Sequence, residues 1–478
     1  MKGVSVLYDL VIENGRVIDP ESSRDEVLSM GITDGRIQAM TLQKLTGRQV
    51  IDASGCVVSP GFIDIHTHED YAVVPSANEE ENKSLPKLTA DVMLRAGVTT
   101  MLGGNCGIGV YPFEPYYQKI STSTLPIHYL ALIGHSALRE WLGIGRYQKP
   151  SLQERELLRE MVREGLQMGF PGVSFGLQYA PGTTKEEMMD AAEIIREYGG
   201  FLAVHMRYDY PAMAEAAVAE MMEILEETGV RMQLSHLAAN IYGKDHMKRT
   251  LDIMQRMNER GFDVRADMYP YDTWATGIQS AVFDGDPFRI YEFTYEDIEI
   301  LTGPWEGKRC TPGLFSLLRE AGEDTTVACH GATPWADIVQ ALRHPLVFMG
   351  SDAIITRDNA LGAIKGHPRS SGSTARFLRR FAIEENILDL KTALAKLTID
   401  PANRLKLASK GRLQEDKDAD IVIFKPEELM EKGGYGMDIC ALPPEGIRYV
   451  IVNGKLAYTW EDGLQFTQEI MKNQKTSE

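Results

Sequence analysis

The sequence predicts an α/β protein: a (β/α)8 TIM barrel with a small β-sandwich domain formed from both chain ends. Three observations predict it. Eight short apolar runs recur through the middle of the chain, most of them preceded by stretches with helical periodicity. Metal-compatible side chains close several of those runs. Asx-Gly pairs set between apolar runs punctuate both ends of the chain, a strong short-range hairpin signal.

Taken in order, the chain opens with YDLVIENGRVID, read as two strands joined by a turn at Asn14-Gly15. GITDGRIQAM repeats the pattern around Asp34-Gly35. Near the other end, ADIVIFKP is a further strand, and YVIVNGKLAYTW turns at Asn453-Gly454. Residues 1–57 and 408–478 are therefore expected to form one small β domain, since domain termini often lie close together.

Residues 58–407 alternate between strand and helix patterns. The strand candidates lie in VVSPGFIDIHTH, VTTMLGGNCG, PIHYLALIGHS, GVSFGL, FLAVHMR, RMQLSHLA, DVRADMYPY and PLVFMGSDA. Strands of Val, Ile, Leu and Met alternating with amphipathic helices argue for a parallel sheet covered by helices. Eight of them argue for a barrel, with a doubly wound open sheet as the structural rival. Residues of about 273–343 are too many for one crossover and read as an insertion after the seventh strand, a candidate lid.

Composition narrows the function classes. The chain has 478 residues, 44% of them hydrophobic, enough to fill a large core, and 25% charged, which is ordinary for a globular protein. A net charge of −18 disfavours nucleic acid and anionic membrane surfaces as partners. It leaves a small anionic substrate open, because a single well-placed Arg acts locally. Five scattered cysteines are not a disulfide framework and fit a reducing cytoplasm. The first residues lack the pattern of a secretory signal, and no apolar run approaches the roughly 20 residues that span a membrane. Self-association into a homo-oligomer is left open.

In a barrel of this kind the active site lies at the C-terminal strand ends. His66 and His68 close the first strand, and alternation along an extended segment puts both imidazoles on one face. Cys106 closes the second among glycines, His205 the fifth and His236 the sixth. Thiolate with imidazole favours zinc. Singly, each has a bland reading: a buried small cysteine, or a histidine satisfied in the core. Together on one rim they read as ligands. Asp352 closes the eighth strand, where a carboxylate either caps the next helix or acts as general base toward water, and where it can also touch the metal. His135 closes the third strand and is expected to contact substrate or support the site. His128 reads as core, His330 and His344 fall near the insertion, and His367 shapes the loop beside Arg369.

GFIDIHTHED, GVTTMLGGNCGIG, GLQYAPG, HMRYD, QLSH, MYPY, GSDA and HPRSSG, with the closing GRL, KDADIVIF and VIVNGK, together resemble the N-acyl-D-amino-acid deacylase (D-aminoacylase) family of the amidohydrolase superfamily. The resemblance spans nearly the whole chain. It implies a zinc-dependent enzyme that hydrolyses a linear amide, an N-acyl-D-amino acid, to carboxylate and D-amino acid. It implies a tight zinc held by Cys106, His205 and His236. A second, weaker site would be formed by His66, His68 and Asp352, with Cys106 able to bridge. It implies Asp352 as catalytic acid/base, and Arg369 and Tyr269 as ligands of the substrate carboxylate. A cyclic amidase of the hydantoinase or dihydroorotase type is the alternative, but many such relatives carry a carboxylated Lys where this chain has Cys106. A non-catalytic scaffold on the same fold is the other, but scaffolds of that kind lose ligands that are all present here. One departure stands out: YPY is followed by DTWATG rather than by a small Gly-Ser-Thr-type stretch, so Trp274 puts bulk near the expected carboxylate site.

Overall fold

The structure is a computed structural model that describes residues 6–68, 88–122, 126–207, 214–237, 245–290, 292–322, 325–357 and 364–465. Parts of two quoted motifs, Glu69-Asp70 and Tyr208-Asp209, lie outside the described residues.

All eight expected middle strands form, and they are parallel to their neighbours. Phe62–Asp64, Val98–Gly103 and His128–Ala131 make one three-stranded sheet. Ile133–Gly134, Gly172–Gly176, Phe201–His205, Arg231–Leu234, Val264–Met268 and Val347–Met349 make a six-stranded sheet in that order. The third expected strand is divided at Leu132, so its two halves end one sheet and begin the other. Beyond the first and last strands, Thr67 and Ala353 form a parallel bridge.

Alternation along the strands sorts their side chains between two apolar clusters. In Phe201–His205, Phe201 and Ala203 join a small cluster with Ile63, Leu102, Leu132 and Phe348. Leu202 and Val204 join the large cluster shared with the helices. His205 has the parity of Ala203, which sends its imidazole to the side away from the helices. The helices stand where the periodicity places them. Leu152–Gln167 and Lys185–Tyr198 both start with capping boxes, from Ser151 and Thr184 respectively.

Both chain ends contribute to one nine-stranded sheet. The turns at Asp34-Gly35 and Asn453-Gly454 join antiparallel strands as expected. The turn expected at Asn14-Gly15 does not exist: Leu7–Asp19 is one strand of 13 residues. Asn14 has a φ of 64°, and the register against Arg24–Thr33 shifts there, so the pair is a bulge. At that point the strand exchanges a parallel partner, Thr46–Asp52, for another, Val57–Pro60. Gly15 is required there, because a Cβ would come within 2.4 Å of Val58. Bulges are where strands pass between sheets, and the same left-handed φ serves bulge and turn.

The inserted stretch carries its own antiparallel sheet, in the order Trp274–Gly277, Thr326–Cys329, Ile298–Ile300. Among the described residues no helix is long and apolar enough to cross a membrane. None of the five cysteines is in a disulfide, and all five are buried.

Candidate metal centre and active site

The strand ends gather the six expected ligand residues into one buried cluster. Cys106 Sγ lies 3.0 Å from His236 Nε2 and 3.4 Å from His66 Nε2. His205 Nδ1 lies 2.8 Å from His236 Nε2. Asp352 Oδ1 lies 2.9 Å from His68 Nε2 and 3.4 Å from His66 Nε2. Two sets of three have ligand atoms mutually within 4.8 Å: His66, Cys106 and His236, and His66, His68 and Asp352. His66 belongs to both.

Local backbone geometry aims these side chains. Cys106, His236 and Asp352 have φ values of 54°, 30° and 54°. Such conformations cost about 1–3 kcal/mol each and cluster at functional sites. The glycines around Cys106 do more than open space. A Cβ on Gly104 would sit 2.2 Å from the Leu132 carbonyl oxygen, so the loop lies directly on its neighbouring strand. The last strand is tied to the first: Asp352 N–H donates to the His66 carbonyl (2.8 Å), and His68 N–H to that of Ala353 (2.7 Å). Asp64 accepts from His66 N–H (3.2 Å) and Ser351 N–H (3.0 Å), and burial raises its pKa to about 6.

Electrostatics favour charge separation within the cluster. Burial opposes ionisation of Cys106, but the imidazoles of His236 and His66 outweigh it and hold the thiol well below its ordinary range. Burial likewise opposes the charge on Asp352, yet Arg369 and then His68 keep its carboxyl well below the usual carboxylate value. Burial would also lower His68, but hydrogen bonds to Asp352 and Cys106 raise it to about 9. Burial and the neighbouring His236 pull His205 down to about 4, toward the neutral form that binds metals. Two imidazole nitrogens facing each other at 2.8 Å beside a thiolate need a shared proton or a cation between them. The donor set, one thiolate with several imidazoles and a carboxylate, fits a bound divalent metal.

Behind the ligands stands a residue that sequence reasoning missed. Asp267 Oδ1 accepts from His66 Nδ1 (2.8 Å) and from His236 N–H (2.8 Å), and its Oδ2 accepts from Gln233 Nε2 (2.9 Å). One carboxylate thus orients two ligand residues, as carboxylates behind metal-binding histidines commonly do. The available signal was a lone acidic residue inside the apolar seventh strand, in RADM.

Next to the cluster lies a pocket of about 330 Å³, the open solvent at its mouth included. His205, His236, Asp352 and Arg369 reach it, along with Gln178 and Tyr179 of the GLQYAPG segment. Gln178 Oε1 is 3.0 Å from His205 Nε2, and the Tyr179 ring lies 4.5 Å from the His205 ring. These two were noticed only as part of a motif. The inserted stretch supplies the facing wall: Trp274, Ala275, Thr276 and Val282.

Arg369 opens the helix Arg369–Phe377, and its backbone N–H is held by His367 Nδ1 at 3.0 Å. Its guanidinium pairs with Asp352 Oδ2 at 2.9 Å and lies 5.1 Å from the centroid of the Tyr269 ring. Among the described residues, Arg369 Nε and the Tyr269 hydroxyl are both buried without a hydrogen-bond partner. His135 is not brought to this cavity. It stacks on Phe175 at 4.2 Å, lines a second cavity with Glu187 and Arg159, and burial lowers its pKa to about 3. His128 holds the middle of the chain to the end sheet through Asp420 (3.3 Å) and Lys410 (2.9 Å).

The profile of the amidohydrolase family matches residues 49–279 and 314–458. The chain belongs to that family. This amidohydrolase is 29% identical to the N-acyl-D-glutamate deacylase of Alcaligenes xylosoxydans xylosoxydans, over 93% of each chain. It is 27% identical to the D-aminoacylase of the same organism, over 95% of each. It is also similar to the crystal structure of N-acyl-D-glutamate deacylase from Bordetella bronchiseptica, complexed with zinc and a phosphonate inhibitor that mimics the tetrahedral intermediate. That similarity has a TM-score of 0.81 at 26% identity, covering 95% of this chain and 97% of the other.

Proposed function

We propose that this amidohydrolase is a metal-dependent N-acyl-D-amino-acid deacylase, which hydrolyses a linear amide to a carboxylate and a D-amino acid. One observation carries the reading: six buried ligand-type side chains and Arg369 converge beside a single cavity. The similarity to deacylases over most of the chain supports the same reaction.

In this reading Cys106, His205 and His236 hold the tighter zinc, and His66, His68 and Asp352 a weaker second ion. The thiolate-imidazole set supports zinc over harder cations. When bound, zinc supplies a Lewis acid and acidifies water. Asp352 takes the proton from the attacking water and delivers it to the leaving nitrogen. Arg369 turns its fork from Asp352 to the substrate carboxylate, and the unpartnered Nε and Tyr269 hydroxyl complete that grip. Asp267 holds His66 and His236 in place. Trp274 and Val282 exclude water from the side of the insertion.

The reading also takes the eight parallel strands as a closed (β/α)8 barrel, supported by the Thr67–Ala353 bridge. Residues 1–57 and 408–478 form its small β domain, supported by the shared nine-stranded sheet.

The test is amine release from N-acetyl-amino acids in D and L forms by zinc-loaded protein, alongside the Asp352→Asn variant. Hydrolysis of the D series only is expected, with turnover of the variant lower by orders of magnitude and its zinc content retained. Equal hydrolysis of L forms, or near-normal turnover of the variant, would refute the reading.

A further inference from the structure

Resting on the deacylase reading, we propose that the substrate carries an uncharged, apolar side chain, and that Trp274 with Val282 forms the wall that selects it. The first observation is a charge inventory. Among the described residues lining the cavity, Arg369 is the one Lys or Arg, the two histidines are metal ligands in this reading, and Asp352 already pairs with Arg369. Once Arg369 takes the α-carboxylate, a second carboxylate on the substrate has no cation left among those residues. It would lie against Trp274, Ala275, Thr276 and Val282, a wall with no charged group, and within the field of Asp352. Burying an unpaired carboxylate on an apolar wall is unfavourable, and a like charge nearby makes it worse. A side-chain ammonium fares little better, because Asp352 stays engaged by His68 and serves as the proton carrier in this reading.

The second observation is the build of the wall. Trp274 is buried, and its ring lies 5.8 Å from that of Phe283 and 6.3 Å from that of Phe293. Phe283 packs in turn on Phe315 at 5.7 Å. Strand pairing of Trp274 with Cys329 fixes the backbone beneath it. An aromatic layer therefore backs the cavity, so the wall is stiff as well as apolar. A leucine, methionine or phenylalanine side chain buries its surface there and brings no charge that the wall would have to match.

The test measures kcat/KM of the zinc-loaded full chain for the N-acetyl derivatives of D-leucine, D-phenylalanine, D-glutamate, D-aspartate and D-lysine. Calorimetric binding of free D-leucine and D-glutamate gives a second readout. The apolar substrates should exceed the acidic ones by about 100-fold. Trp274→Ala should lower kcat/KM for N-acetyl-D-leucine by about tenfold while Trp274→Phe keeps most of it. Val282→Lys, which leaves Trp274 in place, should raise N-acetyl-D-glutamate relative to N-acetyl-D-leucine, and it serves if Trp274→Ala fails to fold. Preference for the acidic or basic substrates overturns this inference and leaves the deacylase reading standing. Failure to hydrolyse any of the D series with zinc bound overturns both.

Discussion

Asp267 lends itself to a test that separates charge from geometry behind the metal cluster. Its carboxylate receives three donors: His66 Nδ1, His236 N–H and Gln233 Nε2. Asp267→Asn keeps the Oδ1 acceptor and puts an amide opposite Gln233. Among the described residues the Gln233 Oε1 is buried without a partner, so turning that amide over restores the third hydrogen bond. The variant therefore loses the negative charge and little else. In the metal-free protein the buried His66–Asp267 pair is charge-assisted, so losing the charge should cost about 1.5–3 kcal/mol. Zinc affinity should fall about tenfold, the lower end for carboxylates behind metal ligands. Asp267→Ala removes the acceptor from all three donors, at about 1–3 kcal/mol for each buried group left unpaired. The three share one carboxylate, so the losses do not simply add, and a total of about 3–5 kcal/mol is expected. Zinc affinity should then fall about 100-fold. Urea unfolding of the metal-free protein reads the stability, and competition with a chelator reads the affinity. If Asp267→Ala bound zinc within about twofold of the parent, the role assigned to this carboxylate would be refuted.

Two further perturbations follow from contacts already described. Arg369→Lys loses the planar fork and its Nε donor, so KM for the N-acyl amino acid should rise about 10–100-fold with a smaller effect on kcat. An unchanged KM would remove Arg369 from substrate binding. Asp420 lies among Lys410 Nζ (2.7 Å), His128 and Asn453 N–H (2.8 Å). Burial opposes its charge, but Lys410 and His128 outweigh that and hold its carboxyl far below the usual range. A depressed carboxylate pKa stabilises the fold fully above the unfolded value of about 3.9, and the stabilisation is lost as pH falls below it. Asp420→Ala should therefore cost about 3 kcal/mol at pH 7, the low end for a broken buried pair because Asp418 still partners Lys410. The gap between parent and variant should narrow below about pH 4 in denaturant titrations, and a gap that stayed constant with pH would contradict the ion-pair account.

The strands were legible because their apolar runs are long enough to be read without tertiary context, and because polar residues mark where each one ends. The six cluster residues were legible for the same reason: each closes a run. Asp267 was hidden because it sits within the seventh run, where one acidic residue among apolar neighbours says nothing about the two histidines it will meet. The Asn14-Gly15 bulge was misread as a turn because the local signal encodes only a left-handed backbone, and the partner strands decide which structure that backbone serves. His135 closes a strand as the ligands do, yet the division at Leu132 and the immediate start of the helix His135–Trp141 send its ring elsewhere. Trp274 showed as a departure in sequence, but its packing on Phe283 and Phe293 depends on a separate sheet whose pairing no local pattern announces.

The nine-stranded sheet has a consequence for how the chain is made. Val57–Pro60 pairs with Ile421–Phe424 across roughly 360 residues of intervening chain. At about 5–20 residues per second, the ribosome needs about 20–70 s to supply the second strand after the first has emerged. During that interval Val58 and its apolar neighbours have an unpaired edge and an uncovered face, both open to other nascent chains. A premature stop anywhere in the middle of the message would leave that state permanent, so truncated products should aggregate rather than accumulate as a folded fragment.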